Sequence, residues 1–412
     1  MIQNATSFLF NSPIPIILPI EGSQYSISWL TKLSIYDTVF LLSISTTLEI
    51  IVVAVIFNIY LTFNLDISPD QYIIAVSYGP TVIVSSRVGL LLGSAISPES
   101  ISSLARDAEI AGFGELWIAE DMFFTGGIAG ANIALASTTN IVVGLGIVSA
   151  VVRHPALLAM EVTTTARAFP GRFIPGIGLG VPAWIKQIGL SPNSPIGTIR
   201  TCVNALRDLS AGQTLSSIGD FYFDKVRLEY PVQAPLSIRV GVSGPKMLQL
   251  SGEISDGTIL SVCSGLQYLS WAKVQVSIGM ERAGRLGHHE VTQFAICAIN
   301  INRRIARLEA RRTLSFYLAA GGGDSLTEAA GISEEIKQIL QSGDGASALQ
   351  EQMPESWVED LTVSGTPEDV IAKIWALTDG GADSVVLFPT SAGNADQIIK
   401  LIGKSMHLLP TR

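Results

Sequence analysis

The sequence predicts an α/β fold, a (β/α)8 TIM barrel, and three observations support this prediction. After Arg87, short apolar runs alternate with amphipathic stretches about eight times. The runs are bounded by glycine, which is typical of strands that are buried on both faces of a parallel sheet. Eight such units over about 320 residues fit a closed barrel with insertions. An open doubly wound sheet is the alternative, but Gly93 leads into Ser94–Pro98 and not into a GxGxxG turn.

The predicted strands leave room between them for helical crossovers. In order they are VGLLLG (88–93), ELWIAE (115–120), IVVGLGIV (141–148), RFIPGIGLG (172–180), SIRVGV (237–242), GTILSV (257–262), FAICAINI (294–301) and SVVLFP (384–389). Ser97 before Pro98 predicts the start of the first helix, since Ser is a favoured N-cap and Pro suits the first helical position. Thr366 before Pro367, with Asp369 in the first turn, repeats this pattern before the helix that precedes the last strand.

Two segments depart from the alternation. Residues 303–357 are charged, contain Gly321–Gly323 and lack a clear strand. They predict a helical insertion or lid before the last strand. Residues Phe221–Tyr230 (FYFDKVRLEY) alternate as in a short hairpin strand, which we expect to cover the barrel near its fourth unit.

The composition excludes several classes of protein. The chain has 412 residues, of which 48% are hydrophobic and 15% charged, and its net charge is −9. This acidic balance excludes a protein that binds along nucleic-acid phosphates. Cys202, Cys263 and Cys297 are odd in number and far apart, which excludes a disulfide scaffold and a CxxC metal site. They fit a reducing compartment, so we expect a cytoplasmic protein.

The first 80 residues differ in composition from the rest and form a hydrophobic extension ahead of a barrel at 81–412. Residues 1–86 contain one basic residue, Lys32, and five acidic ones. The run 38–63 is interrupted by a single ionisable residue, Glu49, and is longer than the about 20 residues that a spanning helix needs. It predicts a membrane helix. The alternative is that the extension is dispensable sequence joined to a soluble enzyme.

Two carboxylates follow the second predicted strand. In a barrel the active site lies at the C-terminal ends of the strands. Glu120 and Asp121 occupy this position and are the candidate catalytic residues. The alternative is structural, because Asp and Glu after a strand often cap the next helix.

The third strand contains Gly144 and Gly146, with Ile147 next and Arg153-His154 shortly after it. Gly146, Ile147, Arg153 and His154 are candidate cofactor-binding residues. Glycines within a strand indicate a bulge or a close approach to a flat ligand, although packing of a helix against them is an equally good explanation. An isolated His is more often a surface or core residue than a catalyst. No H-E-x-x-H, G-x-S-x-G or Walker A pattern occurs, so zinc, serine and NTP hydrolysis are excluded and no metal site is expected.

Two glycine-rich loops are candidate phosphate sites. Gly176 and Gly178 end the fourth strand, and Ser243, Gly244 and Lys246 follow the fifth. Glycine exposes backbone N–H groups, and the start of a helix adds positive potential. A phosphorylated cofactor that lies across several strand ends is therefore expected.

With these segments the chain resembles the bacterial luciferase-like superfamily, in particular its coenzyme F420-dependent branch. The similar segments, in the family's order, are ELWIAED (115–121), VVGLGIVSAVVRHPALLAM (142–160), FPGRFIPGIGLG (169–180), RVGVSGPKMLQLSGEISDG (239–257), and SGTPEDV with SVVLFP within 364–389. The resemblance runs from about Arg87 to the C-terminus, and residues 1–80 have no counterpart in it.

The resemblance implies a barrel that binds coenzyme F420, a deazaflavin, or FMN in other branches, at the strand C-termini. It implies a non-prolyl cis peptide between Gly146 and Ile147, which presses on the ring system. The loops around Gly178 and Gly244 would hold the phosphate, and Asp121 would lie near the ring or the substrate. It also implies a homo-oligomer.

The function implied is an oxidoreductase that transfers a hydride between the deazaflavin and a small organic substrate. Within the branch the chain is similar to reductases of methylenetetrahydromethanopterin. Those enzymes carry a Glu in the first strand, whereas residues 88–92 here are VGLLL. Without it, Glu120 or Asp121 would serve as the acid, or the substrate differs. The alternatives are an FMN-dependent monooxygenase that uses O2 and a membrane-tethered, non-catalytic binding protein.

Overall fold

A computed structural model describes residues 40–44, 50–54, 87–93, 96–216, 220–320 and 324–409. The chain divides into two units, Met1–Ile83 and Val84–Arg412. In the first, strands β1 (Phe40–Ile44) and β2 (Ile50–Ala54) pair antiparallel. These described parts of the predicted membrane helix at 38–63 are thus strands and not helix, and the remainder of that run lies outside the described residues. Among the described residues, no helix is both long enough and apolar enough to cross a membrane.

The second unit is a closed barrel of parallel strands, as predicted. Its strands are β3 (Val88–Leu92), β4 (Glu115–Ile118), β5 (Val142–Leu145), β6 (Val148–Ser149), β7 (Phe173–Ile174), β8 (Gly176–Gly178), β9 (Arg239–Gly241), β10 (Gly257–Leu260), β11 (Glu290–Ile299), β12 (Val363–Gly365) and β13 (Ser384–Pro389). β5 and β6 are two parts of one interrupted strand, as are β7 and β8. β5 pairs with β7 and β6 with β8, and β13 pairs with β3, so the eight-stranded ring closes. β12 adds to the end of β11 outside the ring.

Helices connect the strands. They are α1 (Ile101–Ile110), α2 (Gly127–Ala136), α3 (Pro155–Ala168), α4 (Pro182–Gln187), α5 (Pro195–Ser210), α6 (Pro245–Ile254), α7 (Leu266–Arg282), α8 (Arg303–Ala319), α9 (Asp324–Ala329), α10 (Ser333–Ser342), α11 (Gly345–Gln352), α12 (Glu355–Leu361), α13 (Pro367–Asp379) and α14 (Ala392–Gly403), with short 3-10 helices at Pro98–Ser100 and Met406–Leu408. α8 to α12 lie between β11 and β12. They confirm the helical insertion before the last strand.

Both predicted helix starts are present. Thr366 Oγ1 accepts a hydrogen bond from the Asp369 amide at 3.4 Å, and the Asp369 carboxylate accepts one from the Thr366 amide at 2.9 Å, so α13 has a capping box. Ser97 precedes the 3-10 turn that leads into α1. Its hydroxyl lies 3.1 Å from the Ser100 hydroxyl and does not cap the helix backbone.

The predicted hairpin strand at Phe221–Tyr230 is wrong. The segment makes one isolated antiparallel bridge, between Leu215 and Val226. Its alternation has another cause, because the rings of Phe221 and Phe223 pack edge-to-face on His154, with centroids 5.5 and 4.9 Å away. Aromatic anchoring of a loop gives the same sequence pattern as a strand.

The side chains of the barrel strands alternate between two apolar layers. Leu90 and Leu92 belong to the layer between the strands and the outer helices. Leu91 and Trp117 belong to the barrel interior, and this interior cluster continues into the insertion at Leu318 of α8. The insertion therefore closes off barrel interior that would otherwise meet water, and positions its own residues near the strand ends.

Candidate active site

The break between β5 and β6 is the bulge predicted in the third strand. It consists of Gly146 and Ile147, and the peptide bond between them is cis, as the resemblance implied. The Gly146 amide donates to the carbonyl of Ile118 at 2.8 Å, so the bulge stays attached to β4. Ile147 lines a cavity at the strand ends.

Glycines 144 and 146 are required by aromatic rings inside the barrel. A Cβ on Gly144 would lie 2.5 Å from Trp117 Cζ3, and one on Gly146 would lie 2.6 Å from Phe294 Cζ. The two rings meet edge-on, with centroids 5.5 Å apart. We call Trp117 and Phe294 the aromatic shelf, because the bulge lies directly against them. The Gly-x-Gly pattern thus reflects packing against this shelf, and not against a helix.

The side chain of Ile147 is enclosed by two further glycines. A Cβ on Gly241 would lie 2.6 Å from its Cγ2, and one on Gly178 would lie 2.8 Å from its Cδ1. A Cβ on Gly176 would collide with the carbonyl oxygen of Leu145 in the neighbouring strand. Gly176 and Gly178 are buried strand residues that do not line the cavity. In the described chain they allow close packing around the bulge.

The cavity has a volume of about 430 Å³ and lies at the C-terminal ends of the barrel strands. Its lining includes residues from six barrel strands, from loops that follow strands and from helix α8. Most of the lining residues are apolar. Its polar side chains are those of Glu120, Asp121, Ser149, Ser243, Ser261 and Tyr317. A mostly apolar, concave site with a few convergent polar groups is typical of small-molecule binding.

Glu120 is engaged by neighbouring groups. Its carboxylate accepts two hydrogen bonds from the Arg153 guanidinium, at 2.6 and 2.7 Å, and one from the Gly127 amide at 2.9 Å. Only 10% of the Glu120 side chain and 26% of the Arg153 side chain are exposed. The hydrogen bonds that Arg153 donates to Glu120 are the main cause of the raised pKa of Arg153. Glu120 therefore closes the loop from 120 to 127, which is the structural alternative recognised in the sequence.

Asp121 is the carboxylate that remains open to the cavity. Within the described residues, its side chain makes no hydrogen bond and no ion pair. Its backbone carbonyl accepts from the Phe124 amide at 3.1 Å, which fixes the turn that carries it. The two adjacent carboxylates thus differ in environment, since one is paired and the other is free to meet a ligand.

His154 does not line the cavity. It is the N-cap of α3, where its Nδ1 accepts from the Ala156 amide at 3.2 Å and its Nε2 lies 3.1 Å from the carbonyl of Tyr222. The side chain attaches the loop around Tyr222 to the start of the helix.

The loop between β9 and α6 reaches the cavity with Ser243 and Gly244. A Cβ on Gly244, the N-cap of α6, would meet only Ser325 Oγ, at 3.7 Å. The Tyr268 hydroxyl donates a hydrogen bond to the Ser243 carbonyl at 2.7 Å, which holds the loop in place. Lys246 is exposed in the first turn of α6 and does not line the cavity.

Sequence reasoning missed the lining residues that come from other parts of the chain. Tyr317 comes from the insertion helix α8, Trp184 from α4, and Phe388 from β13. The Tyr317 and Phe388 rings pack edge-to-face with centroids 5.9 Å apart. Burial and the negative charge of Asp121 raise the pKa of Tyr317. No sequence signal marks Tyr317, because α8 reads as a charged amphipathic helix.

A second, more open groove of about 780 Å³ follows α8 and α11 and is lined by several arginines. Three of them are paired with carboxylates, Arg303 with Asp369 at 2.6 Å, Arg307 with Glu359 at 2.6 Å and Arg311 with Glu355 at 2.9 Å. Such pairing leaves little net charge for an anionic ligand. The cavity at the strand ends, with its open polar groups, is therefore the candidate active site.

The described residues contain no group of three or more His, Cys, Asp or Glu that could hold a metal ion. The cysteines are also unsuited to nucleophilic catalysis. All three are free and buried, and burial raises the pKa of Cys202 and Cys263 to about 12.

Comparisons with known proteins agree with this geometry. The sequence profile of the luciferase-like monooxygenase family matches residues 81–384. A 5,10-methylenetetrahydromethanopterin reductase of Methanolobus tindarius is 27% identical over 312 residues, which are 74% of this chain and 95% of that protein. The structure of the coenzyme F420-dependent tetrahydromethanopterin reductase from Methanopyrus kandleri matches with a TM-score of 0.68 and 23% identity, covering 78% of this chain and 98% of that one. An F420-dependent secondary alcohol dehydrogenase, solved with an F420–acetone adduct, has a TM-score of 0.65 and 17% identity over 79% of this chain and 99% of that one.

Proposed function

Because the chain belongs to the luciferase-like monooxygenase family, we propose that it binds coenzyme F420 in the cavity at the strand ends and transfers a hydride between this deazaflavin and a small organic substrate. The observation that carries the proposal is the cavity itself, in which the Ile147 bulge, the Ser243–Gly244 loop and the open carboxylate of Asp121 converge. Relatives that match nearly along their whole length are named as F420-dependent or as methylenetetrahydromethanopterin reductases.

The residues present fit such a coenzyme. The volume of about 430 Å³ lies within the range of small-molecule sites, roughly 300–1,000 Å³. Ile147 offers an apolar surface for a flat ring, and the missing side chain of Gly244 leaves space at the start of α6. There, backbone N–H groups and the helix dipole suit a phosphate. When bound, the deazaflavin supplies two-electron hydride chemistry, and the protein supplies position and electrostatics.

Asp121 is the proposed catalytic residue of the chain. Its carboxylate can orient a donor group of the substrate or exchange a proton with it, as general acid–base groups do. Glu120 and Arg153 act as positioning residues, because their ion pair holds the loop that carries Asp121. Of the sequence candidates for the phosphate, Ser243 and Gly244 keep that role. Gly146 lines the cavity together with Ile147 and keeps its proposed place beside the coenzyme, whereas Gly176 and Gly178 allow the packing that holds Ile147 in place. Arg153, His154 and Lys246 lie outside the cavity lining.

The leading substrate is methylenetetrahydromethanopterin, in line with the named relatives. The test mixes full-length protein with oxidised F420 and follows the quenching of coenzyme fluorescence. Reduced F420 is then offered with methylenetetrahydromethanopterin, and separately with acetone, and its reoxidation is recorded. Saturable binding and reoxidation with one of the two substrates are expected. Absence of coenzyme binding would contradict the coenzyme assignment, and binding without any reoxidation would contradict hydride transfer to these substrates.

An FMN-dependent monooxygenase is the second candidate, and the family description favours it. Purified protein that is yellow, contains FMN and consumes O2 in the presence of a reduced flavin would support this alternative. Colourless protein that binds F420 would support the first candidate.

We further propose that the protein works in the cytoplasm as a homo-oligomer. The extension of residues 1–80 is then either a membrane anchor or dispensable. Size-exclusion chromatography with light scattering measures the oligomeric state, and fractionation of cell extracts separates anchored from free protein. A strictly monomeric protein would contradict the oligomer.

A further inference from the structure

Tyr317 lines the cavity, and like Asp121 it has a side chain with no hydrogen-bond partner in the described chain. It lies in the last turn of α8, and its ring is fixed between two others, Phe388 at 5.9 Å and Phe316 at 5.7 Å, both edge-to-face. Within the described chain its hydroxyl makes no hydrogen bond. Tyrosine hydroxyls in sheltered positions usually have a partner, as the hydroxyl of Tyr268 does at the Ser243 carbonyl. The hydroxyl of Tyr317, which makes no such bond and lines the cavity, is therefore available to a ligand.

Tyr317 and Asp121 are complementary in their hydrogen bonding. Both line the same cavity, and the charge of Asp121 acts on the Tyr317 hydroxyl. A phenol that keeps its proton is a donor across the physiological pH range, whereas an ionised carboxylate only accepts. To a ligand in the cavity, the Tyr317 hydroxyl therefore offers a donor and the Asp121 carboxylate an acceptor. The two groups come from distant parts of the chain, α8 and the loop after β4.

We infer that Tyr317 is a second catalytic residue, whose hydroxyl donates a hydrogen bond to the heteroatom that receives the electron pair in the substrate, the oxygen of a carbonyl group or a nitrogen of an N–CH2–N bridge. This inference rests on the proposed hydride transfer and defines the substrate class for it. The hydride forms a new C–H bond at the acceptor carbon. The bond that breaks is the π bond of the carbonyl group or one C–N bond of the bridge, and its electron pair moves to the heteroatom. The coenzyme is oxidised and the substrate reduced.

The hydroxyl of Tyr317 stabilises the charge that develops on the heteroatom and keeps its own proton. The heteroatom then takes up a proton from water by way of Asp121. In the reverse direction, the same two groups hold an alcohol or amine for hydride removal. A donor that is fixed before the reaction is effective because it needs no reorganisation when charge appears.

The inference is tested with the variant Tyr317→Phe, which removes only the hydroxyl. Because that hydroxyl has no protein partner, the melting temperature should stay unchanged, and the Kd for oxidised F420 should change less than twofold. The kcat for reoxidation of reduced F420 should fall about 100-fold, the lower end of the loss found when a fixed donor is removed elsewhere. The Kd of the substrate for the complex with oxidised F420, in which no reaction occurs, should rise about threefold or more.

Tyr222→Phe is the matched control, since Tyr222 is exposed and does not line the cavity; it should match the wild type in every measurement. Tyr268→Phe is the structural comparison, since its hydroxyl is bonded, and it should lower the melting temperature. If Tyr317→Phe retains wild-type kcat and wild-type substrate Kd while F420 binds, the role of Tyr317 is wrong and the proposed function stands. If wild-type protein binds no F420, both are wrong.

Discussion

Substitution of Gly144 by Ala is a stringent test of the aromatic shelf beneath the bulge. The added methyl group would lie 2.5 Å from Trp117 Cζ3, whereas carbon atoms normally stay about 3.5–4.0 Å apart. The Trp117 ring cannot easily move away. It is fully buried, its Nε1 donates to the Glu115 carboxylate at 2.9 Å, and the Arg239 guanidinium lies 5.8 Å from its ring.

The magnitude follows from overpacking. Extra carbon atoms in a packed core cost about 1–3 kcal/mol, and the rigid environment places Gly144→Ala near the upper end, at about 3 kcal/mol. Trp117→Leu alone leaves a hole and costs about 3 kcal/mol by comparison with other large-to-small substitutions. In the double variant the methyl group enters that hole. The loss should be about 3 kcal/mol and not the additive value of about 6 kcal/mol, which is a coupling of about 3 kcal/mol.

The assay is urea unfolding followed by far-UV circular dichroism, with the midpoint compared at constant m value. Gly393→Ala in α14 is the control, because a Cβ there meets nothing within 4 Å and Ala is preferred to Gly in helices by about 1 kcal/mol. It should not destabilise the protein. A Gly144→Ala variant that loses less than about 1 kcal/mol, or strictly additive losses in the double variant, would refute the reasoning.

Three other predictions concern charge and domain organisation. Burial lowers the pKa of His289 from 6.5 to about 4, so the unfolded chain takes up the proton at a higher pH than the folded protein does. The free energy of unfolding should therefore fall by about 3 kcal/mol as the pH decreases from 6.5 to 4. Urea midpoints that do not change over this range, or that change equally in His289→Gln, would contradict this. Glu120→Gln should lower the stability by about 2 kcal/mol in thermal unfolding, since it removes the shorter of the two ion pairs of the partly buried Arg153 and leaves only the longer one to Glu161. Adding Arg153→Met should recover part of the loss, and no loss in the single variant would exclude a structural ion pair. A protein that begins at residue 84 should fold and bind F420 with unchanged affinity, because the second unit has its own core; insoluble protein would show that the extension is needed.

The barrel strands could be located from the sequence because most of them are apolar and end at glycine. The predicted run 384–389 coincides with β13, but 294–301 was placed several residues late, since β11 is Glu290–Ile299. Its first half contains polar residues, of which Thr292 and Gln293 are fully buried. Thr292 and Glu290 accept hydrogen bonds from Arg239, and Gln293 donates to the Ser264 carbonyl at 2.6 Å. Hydrophobicity does not reveal polar residues that find partners inside a barrel.

The site was predictable where one segment supplies both the signal and the contact. Asp121, the bulge at Gly146–Ile147 and the Ser243–Gly244 loop are local features, and each lies at the cavity. The partner of Glu120 is 33 residues away, so that the paired and the open carboxylate cannot be distinguished in the sequence. Tyr317 reaches the cavity only because the insertion packs against the barrel interior.

The most direct test of the central claim, that the cavity at the strand ends binds coenzyme F420, is a fluorescence titration with the variant Ser261→Trp. Ser261 lines the cavity, and an indole ring there would occupy the space assigned to the coenzyme. Ser103→Trp, on the exposed face of α1, is the control. We predict saturable binding of F420 to the wild type and to the control, and at least tenfold weaker binding of F420 to Ser261→Trp. Equal affinity in all three proteins would contradict the claim.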